Sequence, residues 1–148
     1  MKKIFRDGGF EFIDHTADAG LKAFGKTVEE LFENAATGMF SLITEPETVT
    51  AQDTEELAVE AYEYDELLKN YLSELLYLQV SKHSLYSKFK VKISDSVERI
   101  KVLEGTAKGE PFDPGKHVIA TEIKTVTYHQ LYVEKKKGYW EAQIIFDI

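Results

Sequence analysis

The sequence contains no cysteine, only three prolines and nine glycines in 148 residues, and no apolar run longer than a few residues. Without cysteine there is no disulfide framework, thiolate zinc site, iron–sulfur cluster or cysteine nucleophile, and nothing calls for an oxidising compartment. A helix that crosses a membrane needs about 20 consecutive apolar residues, and none exists. The start, Met1 to Asp7, lacks the apolar core of a signal peptide. The expectation is a cytoplasmic protein with no membrane association. Phosphate loops are missing too: Gly8-Gly9 and Gly105…Gly109 match neither GxGxxG nor a P-loop. Basic residues are in deficit, 18 against 26 acids for a formal charge of −8. That balance repels phosphate backbones and favours cations or a basic partner, so no direct nucleic-acid binding is expected.

What is present is enough for one core. Hydrophobic residues make up 43% of the chain and aromatics 12%, and with no repeat or linker the chain reads as a single domain, 1–148. Thr27-Val28-Glu29-Glu30 is a capping box, followed at helical spacing by Leu31, Phe32, Ala35, Ala36, Met39, Phe40 and Ile43. Asp65 is the expected N-cap of a second helix carrying Leu67, Leu68, Tyr71, Leu72, Leu75 and Leu76. Each apolar set spans about half the helix circumference, which predicts helices covered on two sides. Elsewhere the period is two, at Leu57–Ala61, Phe89–Ile93, Leu131–Val133 and Trp140–Ile144, with Lys135–Gly138 as a hairpin turn. The three prolines read as loop residues. The fold class is α+β, with two helices packed between mostly antiparallel sheets.

Three clusters concentrate polar chemistry. Asp14-His15-Thr16-Ala17-Asp18-Ala19-Gly20 sets two carboxylates, an imidazole and a hydroxyl between two apolar strands. It reads either as oxygen ligands for a hard cation, with Gly20 admitting close backbone approach, or as a turn whose acids accept local hydrogen bonds. At the other end, Gln143 to Ile148 is apolar up to Asp147 and Ile148. If that strand is docked, two negative groups lie side by side and require a compensating cation; if it ends at the surface, water screens both. The third cluster is Glu122 to His129, where Lys124 reads as an anion contact or a solvated strand lysine, and His129 as a structural histidine. His83 and His117 carry no spacing signal. No Ser/His/Asp arrangement is inferable, so an enzyme is poorly supported.

Taken in order, Asp14–Leu21, Gly25–Phe32 with Ala35-Ala36, Leu72–Tyr77, Glu122–His129 and the terminal Asp147-Ile148 resemble the archease signature over nearly the whole chain. The resemblance implies a layered β/α/β domain. It further implies a non-catalytic protein cofactor for the RNA-splicing ligase of the RtcB type, which joins tRNA halves. Such a cofactor promotes guanylylation of the ligase histidine, sustains multiple turnover and broadens nucleotide use. Metal ligands are implied at Asp18, Asp147 and the carboxylate end of Ile148, and a role in activation at Lys124. Asp14 and His15 are candidates to support the ligands from behind. The ion would be divalent, calcium being expected in a structure, with magnesium or manganese suited by the same oxygen donors. Thr125 and Ala19 depart from the usual residues, an alanine and a larger apolar side chain, without touching these ligands. Two other readings stand beside this one: a general chaperone-like interaction module with a structural metal, and a small hydrolase using Asp14 and His15 as acid and base.

Overall fold

A computed structural model describes residues 9–14 and 18–148. His15 lies outside the described residues, and Asp14 is described by its backbone alone. The order of elements is β1 (Phe10–Asp14), β2 (Ala19–Gly25), α1 (Val28–Ile43), β3 (Asp53–Ala61), α2 (Tyr64–Lys82), β4 (Ser84–Asp95), β5 (Lys101–Pro111), β6 (Thr125–Val126), β7 (Tyr132–Lys135) and β8 (Trp140–Asp147). Two sheets, antiparallel throughout, sandwich the helices. One has the order β1-β2-β8, with β6 and β7 both along the far side of β8; the other is β3-β5-β4.

The broad apolar arcs are used as expected. α1 packs on β2 and β8 of one sheet and on β4 of the other, and α2 touches strands of both. Leu31, Phe32, Ala35, Ala36, Met39, Phe40, Leu67, Leu68, Tyr71, Leu72 and Leu75 are all fully buried. No helix among the described residues is long and apolar enough to cross a membrane.

The start of α1 obeys its local code. The Thr27 hydroxyl accepts the Glu30 N–H at 3.0 Å, and Glu30 Oε1 reaches back to the Lys26 N–H at 2.6 Å, one residue beyond the usual capping-box partner. The start of α2 does not. Its N-cap is Glu63, with no side-chain cap, and Asp65 lies inside the first turn, accepting the Glu66 N–H at 2.7 Å. Tyr64 is drawn into the helix because its ring meets Trp140 edge-on at 5.3 Å and carries Lys101 Nζ at 4.5 Å.

Two further expectations change. Pro111 is the last residue of β5, pairing with Ser84, while Pro46 opens a 3-10 turn. Of the Glu122–His129 segment only Thr125 and Val126 pair as strand. The hairpin at Lys135–Gly138 forms as predicted, with Lys136 N–H bonded to the Tyr139 carbonyl at 2.7 Å and Gly138 at φ 88°.

Candidate functional site

The apolar run Ile144-Ile145-Phe146 is buried and pairs on both sides. Toward β2, Ala19 faces Phe146 and Gly20 faces Ile145. Asp18 is the bend residue immediately ahead of β2, next to the Ala19–Phe146 pair, and Asp147 follows Phe146 at the end of β8. Toward β6, Thr125 faces Asp147 and Val126 faces Phe146, and the Lys124 N–H donates to the Asp147 carbonyl at 2.8 Å. Thr127 fixes this short strand by giving both its N–H (3.1 Å) and its hydroxyl (2.8 Å) to the Ile145 carbonyl.

Residues facing one another across antiparallel strands project to the same side. Thr125 and Asp147 therefore share one face, with facing Cβ atoms about 5 Å apart, and Asp18 lies at the neighbouring end of β2. Phe146 is fully buried toward the helices, so Asp147 projects outward. Asp147 and Lys124 are exposed and Asp18 is half-buried. Lys124 shares a face with the buried Val126, so it stands beside the Asp147–Ile148 end through its backbone, and Thr125 is the residue directly opposite the carboxylate.

Gly20 has a different use from the one its sequence suggests. A Cβ there would lie 2.7 Å from Ile145 Cδ1. Its absence seats Ile145, which is almost fully buried in the row next to the acids. The acids are thus held against a packed apolar row.

Among the described residues the donors here are the carboxylates of Asp18 and Asp147 and the Thr125 hydroxyl, oxygen atoms that suit a hard divalent cation and disfavour zinc or copper. Among the described residues no three His, Cys, Asp or Glu side chains gather closely enough to hold a metal ion. A cation here would need a main-chain carboxylate beside Asp18 and Asp147. Like charges at adjoining strand ends are unfavourable unless a cation compensates them, so the donor set fits such an ion.

A second polar cluster escaped the sequence reading. Glu110 Oε2 accepts from Lys116 Nζ at 2.7 Å, the Thr50 N–H at 2.8 Å and His117 Nε2 at 2.9 Å. His117 is buried, and its Nδ1 accepts the Asp113 N–H at 3.0 Å, so the ring proton sits on Nε2. The hydrogen bond from Lys116, followed by that from Thr50, lowers the Glu110 pKa to about 2. This cluster pins the start of the irregular segment from Phe112 to Lys124. The segment is held again where Thr44 Oγ1 donates to the Val118 carbonyl (2.7 Å) and the Ala120 N–H to that of Ile43 (2.8 Å). It ends at Lys124, so these contacts deliver that lysine to Asp147. Only the adjacency of Lys116 and His117 hints at the cluster in sequence. His83 ends α2 in the left-handed conformation, and His129 is exposed between β6 and β7.

Comparison with known proteins gives one consistent result. The model of the archease protein family matches residues 10–148. The protein archease of Methanosarcina mazei is 41% identical over 139 residues, covering 94% of this chain and 95% of that protein. That of Sulfurisphaera tokodaii is 39% identical, covering 94% and 98%. The solution structure of Methanobacterium thermoautotrophicum protein 1598 is 39% identical, with a TM-score of 0.85 over 95% of this chain and 99% of that one. A crystal structure from Thermotoga maritima, described as an archease and possible chaperone, shares the fold with a TM-score of 0.58 at 20% identity, over 92% and 94%.

Proposed function

The chain belongs to the archease family, and on that premise we propose that it is a non-catalytic, metal-binding activator of the tRNA-splicing RNA ligase of the RtcB type. In this role it works in the cytoplasm as one domain, promoting guanylylation of the ligase, sustaining multiple turnover and broadening its nucleotide use. What supports the reading is that the end of β2 beside Asp18 pairs with the end of β8 that carries Asp147, whose carbonyl accepts the Lys124 N–H.

Asp18, Asp147 and the carboxylate end of Ile148 would hold a calcium, magnesium or manganese ion through oxygen alone. Such an ion would supply Lewis-acid polarisation of a phosphate oxygen, since three carboxylates leave coordination positions open for it. Lys124, beside the same strand end, adds a positive charge suited to a polyphosphate. Asp14, whose backbone faces Ala19, and His15 would support the ligands from behind.

The test is guanylylation and ligation by the matching ligase under single- and multiple-turnover conditions, with wild type, Asp18→Ala and Asp147→Ala, each checked for folding. Loss of turnover in folded variants is expected. Folded variants that activate like wild type would remove the assignment. Activity toward unrelated clients that tracks thermal stability would favour a general chaperone-like module instead.

A further inference from the structure

The outer face of the β3-β5-β4 sheet lies across the helix layer from the acidic strand ends. Along β4, Lys88, Lys90 and Lys92 are exposed at alternate positions, so they project to one side with a pitch of roughly 6.6–6.8 Å. Lys88 faces Lys108 of β5, which is also exposed. Among the described residues none of these four lysines forms an ion pair. Beside them lies a depression of about 640 Å³ lined by Lys90 and Lys92 of β4, Glu104, Gly105 and Thr106 of β5 and Glu56 of β3, with Glu104 facing Lys92 across the strands.

Lysines on an edge strand commonly guard against pairing with another chain. Here that work is already done: the Glu33 carboxylate accepts the Val91 N–H at 2.9 Å and Glu29 that of Ile93 at 3.4 Å. The facing pair Lys88 and Lys108 is a cost in the isolated protein, since like charges directly across strands repel. An anion laid along the comb would relieve it.

We infer that the Lys88–Lys90–Lys92 comb, with Lys108, binds the phosphate backbone of a single-stranded nucleic acid. The overall charge of −8 does not forbid this, because the fold collects four cations on one face, of which Lys92 alone faces an acid, Glu104, directly across the β4–β5 pair, and sets the acids of β3 beyond β5. The comb pitch approximates the separation of successive phosphates in an extended strand. An acidic polypeptide is the poorer fit: its usual gain at a sheet margin is backbone pairing, and Glu33 and Glu29 occupy those N–H groups. With no aromatic side chain among the comb and its wall, the contact is sequence-independent, positioning without base readout.

The experiment measures fluorescence anisotropy of a short labelled single-stranded oligonucleotide, RNA and DNA in turn, with the full chain and no ligase. It is therefore independent of the activation reading. Wild type binds at low salt, with log affinity falling against log salt at a slope of about −3 for four contacts. The variant Lys88→Ser/Lys90→Ser/Lys92→Ser loses at least about tenfold in affinity, the scale of one such contact or more. The Lys→Arg triple retains binding, as does a charge-matched control, Lys26→Ser/Lys82→Ser/Lys137→Ser. No binding by wild type, or equal loss in the comb and control variants, overturns the inference. So does displacement of the oligonucleotide by polyglutamate of matched charge as effectively as by unlabelled oligonucleotide.

Discussion

Glu33 and Val91 are joined across the layers: the helix carboxylate takes the strand's outward N–H at 2.9 Å. A helix side chain thereby closes the free edge of β4, and Glu29 repeats the contact one turn earlier. Glu33→Ala should lower stability by about 1–2 kcal/mol, the cost of losing a hydrogen bond to a charged acceptor. It should also raise self-association, since the edge is reopened. Urea unfolding and light scattering check both. An unchanged midpoint with no larger species would show that water serves the Val91 N–H equally well.

Glu110 predicts a specific pH dependence. Its folded pKa is lowered to about 2 by Lys116 first, then by the Thr50 N–H, against an unfolded carboxylate value of about 4.3. A lowered carboxylate stabilises the fold above its unfolded value, and that contribution is lost as pH falls through the window between the two. Glu110→Gln should therefore unfold at lower urea than wild type at neutral pH, and the difference should shrink from about pH 4.5 to pH 2. Parallel curves across that window would show that the charge is not what matters.

Tyr71 is fully buried against Phe32, with ring centroids 6.0 Å apart, and its hydroxyl has no hydrogen-bond partner among the described residues. Burial first, then the Glu33 charge, pushes its pKa up, so it stays neutral. A buried unpaired hydroxyl costs about 1–3 kcal/mol. Tyr71→Phe keeps the ring and should raise the Tm by several degrees in a thermal melt. A fall in Tm would reveal a bonded hydroxyl.

Calcium added to the metal-free protein should raise the Tm in proportion to the logarithm of its concentration above Kd. Asp147→Asn should abolish the shift, and a glycine appended after Ile148 should reduce it by moving the carboxylate. A shift that survives both changes would place the ion elsewhere.

Much of the fold is legible in the chain. Thr27 and Glu30 announce α1, and the alternation at Phe89–Ile93 and Trp140–Ile144 announces β4 and β8. The central strand β5 is silent because, after Leu103, its inward positions are Gly105, Ala107 and Gly109, too small for a hydropathy signal. Glycine is needed at Gly109, where a Cβ would collide with the backbone of Leu85 beside the bulge at Tyr86/Lys88. The start of α2 differs from the Asp65 cap the sequence suggests because Trp140 and Lys101, distant in sequence, hold Tyr64. The Glu110 cluster was invisible for the same reason, since Thr50 lies far upstream of Glu110.

The sequence by itself determined the two helices, most of the strands and the absence of thiol chemistry. Those properties are local: a cap or an apolar stripe is complete within a few turns or residue pairs. Tertiary structure alone decided which charges meet. Asp18 and Asp147 come to adjoining strand ends only because β2 and β8 pair in one register, Lys124 meets the Asp147 carbonyl only because anchored contacts lead its segment there, and the lysine comb stands apart from the acids of β3 only because β5 lies between them. Strand order and register set those distances, and a single residue of slip would turn Asp147 toward the helices.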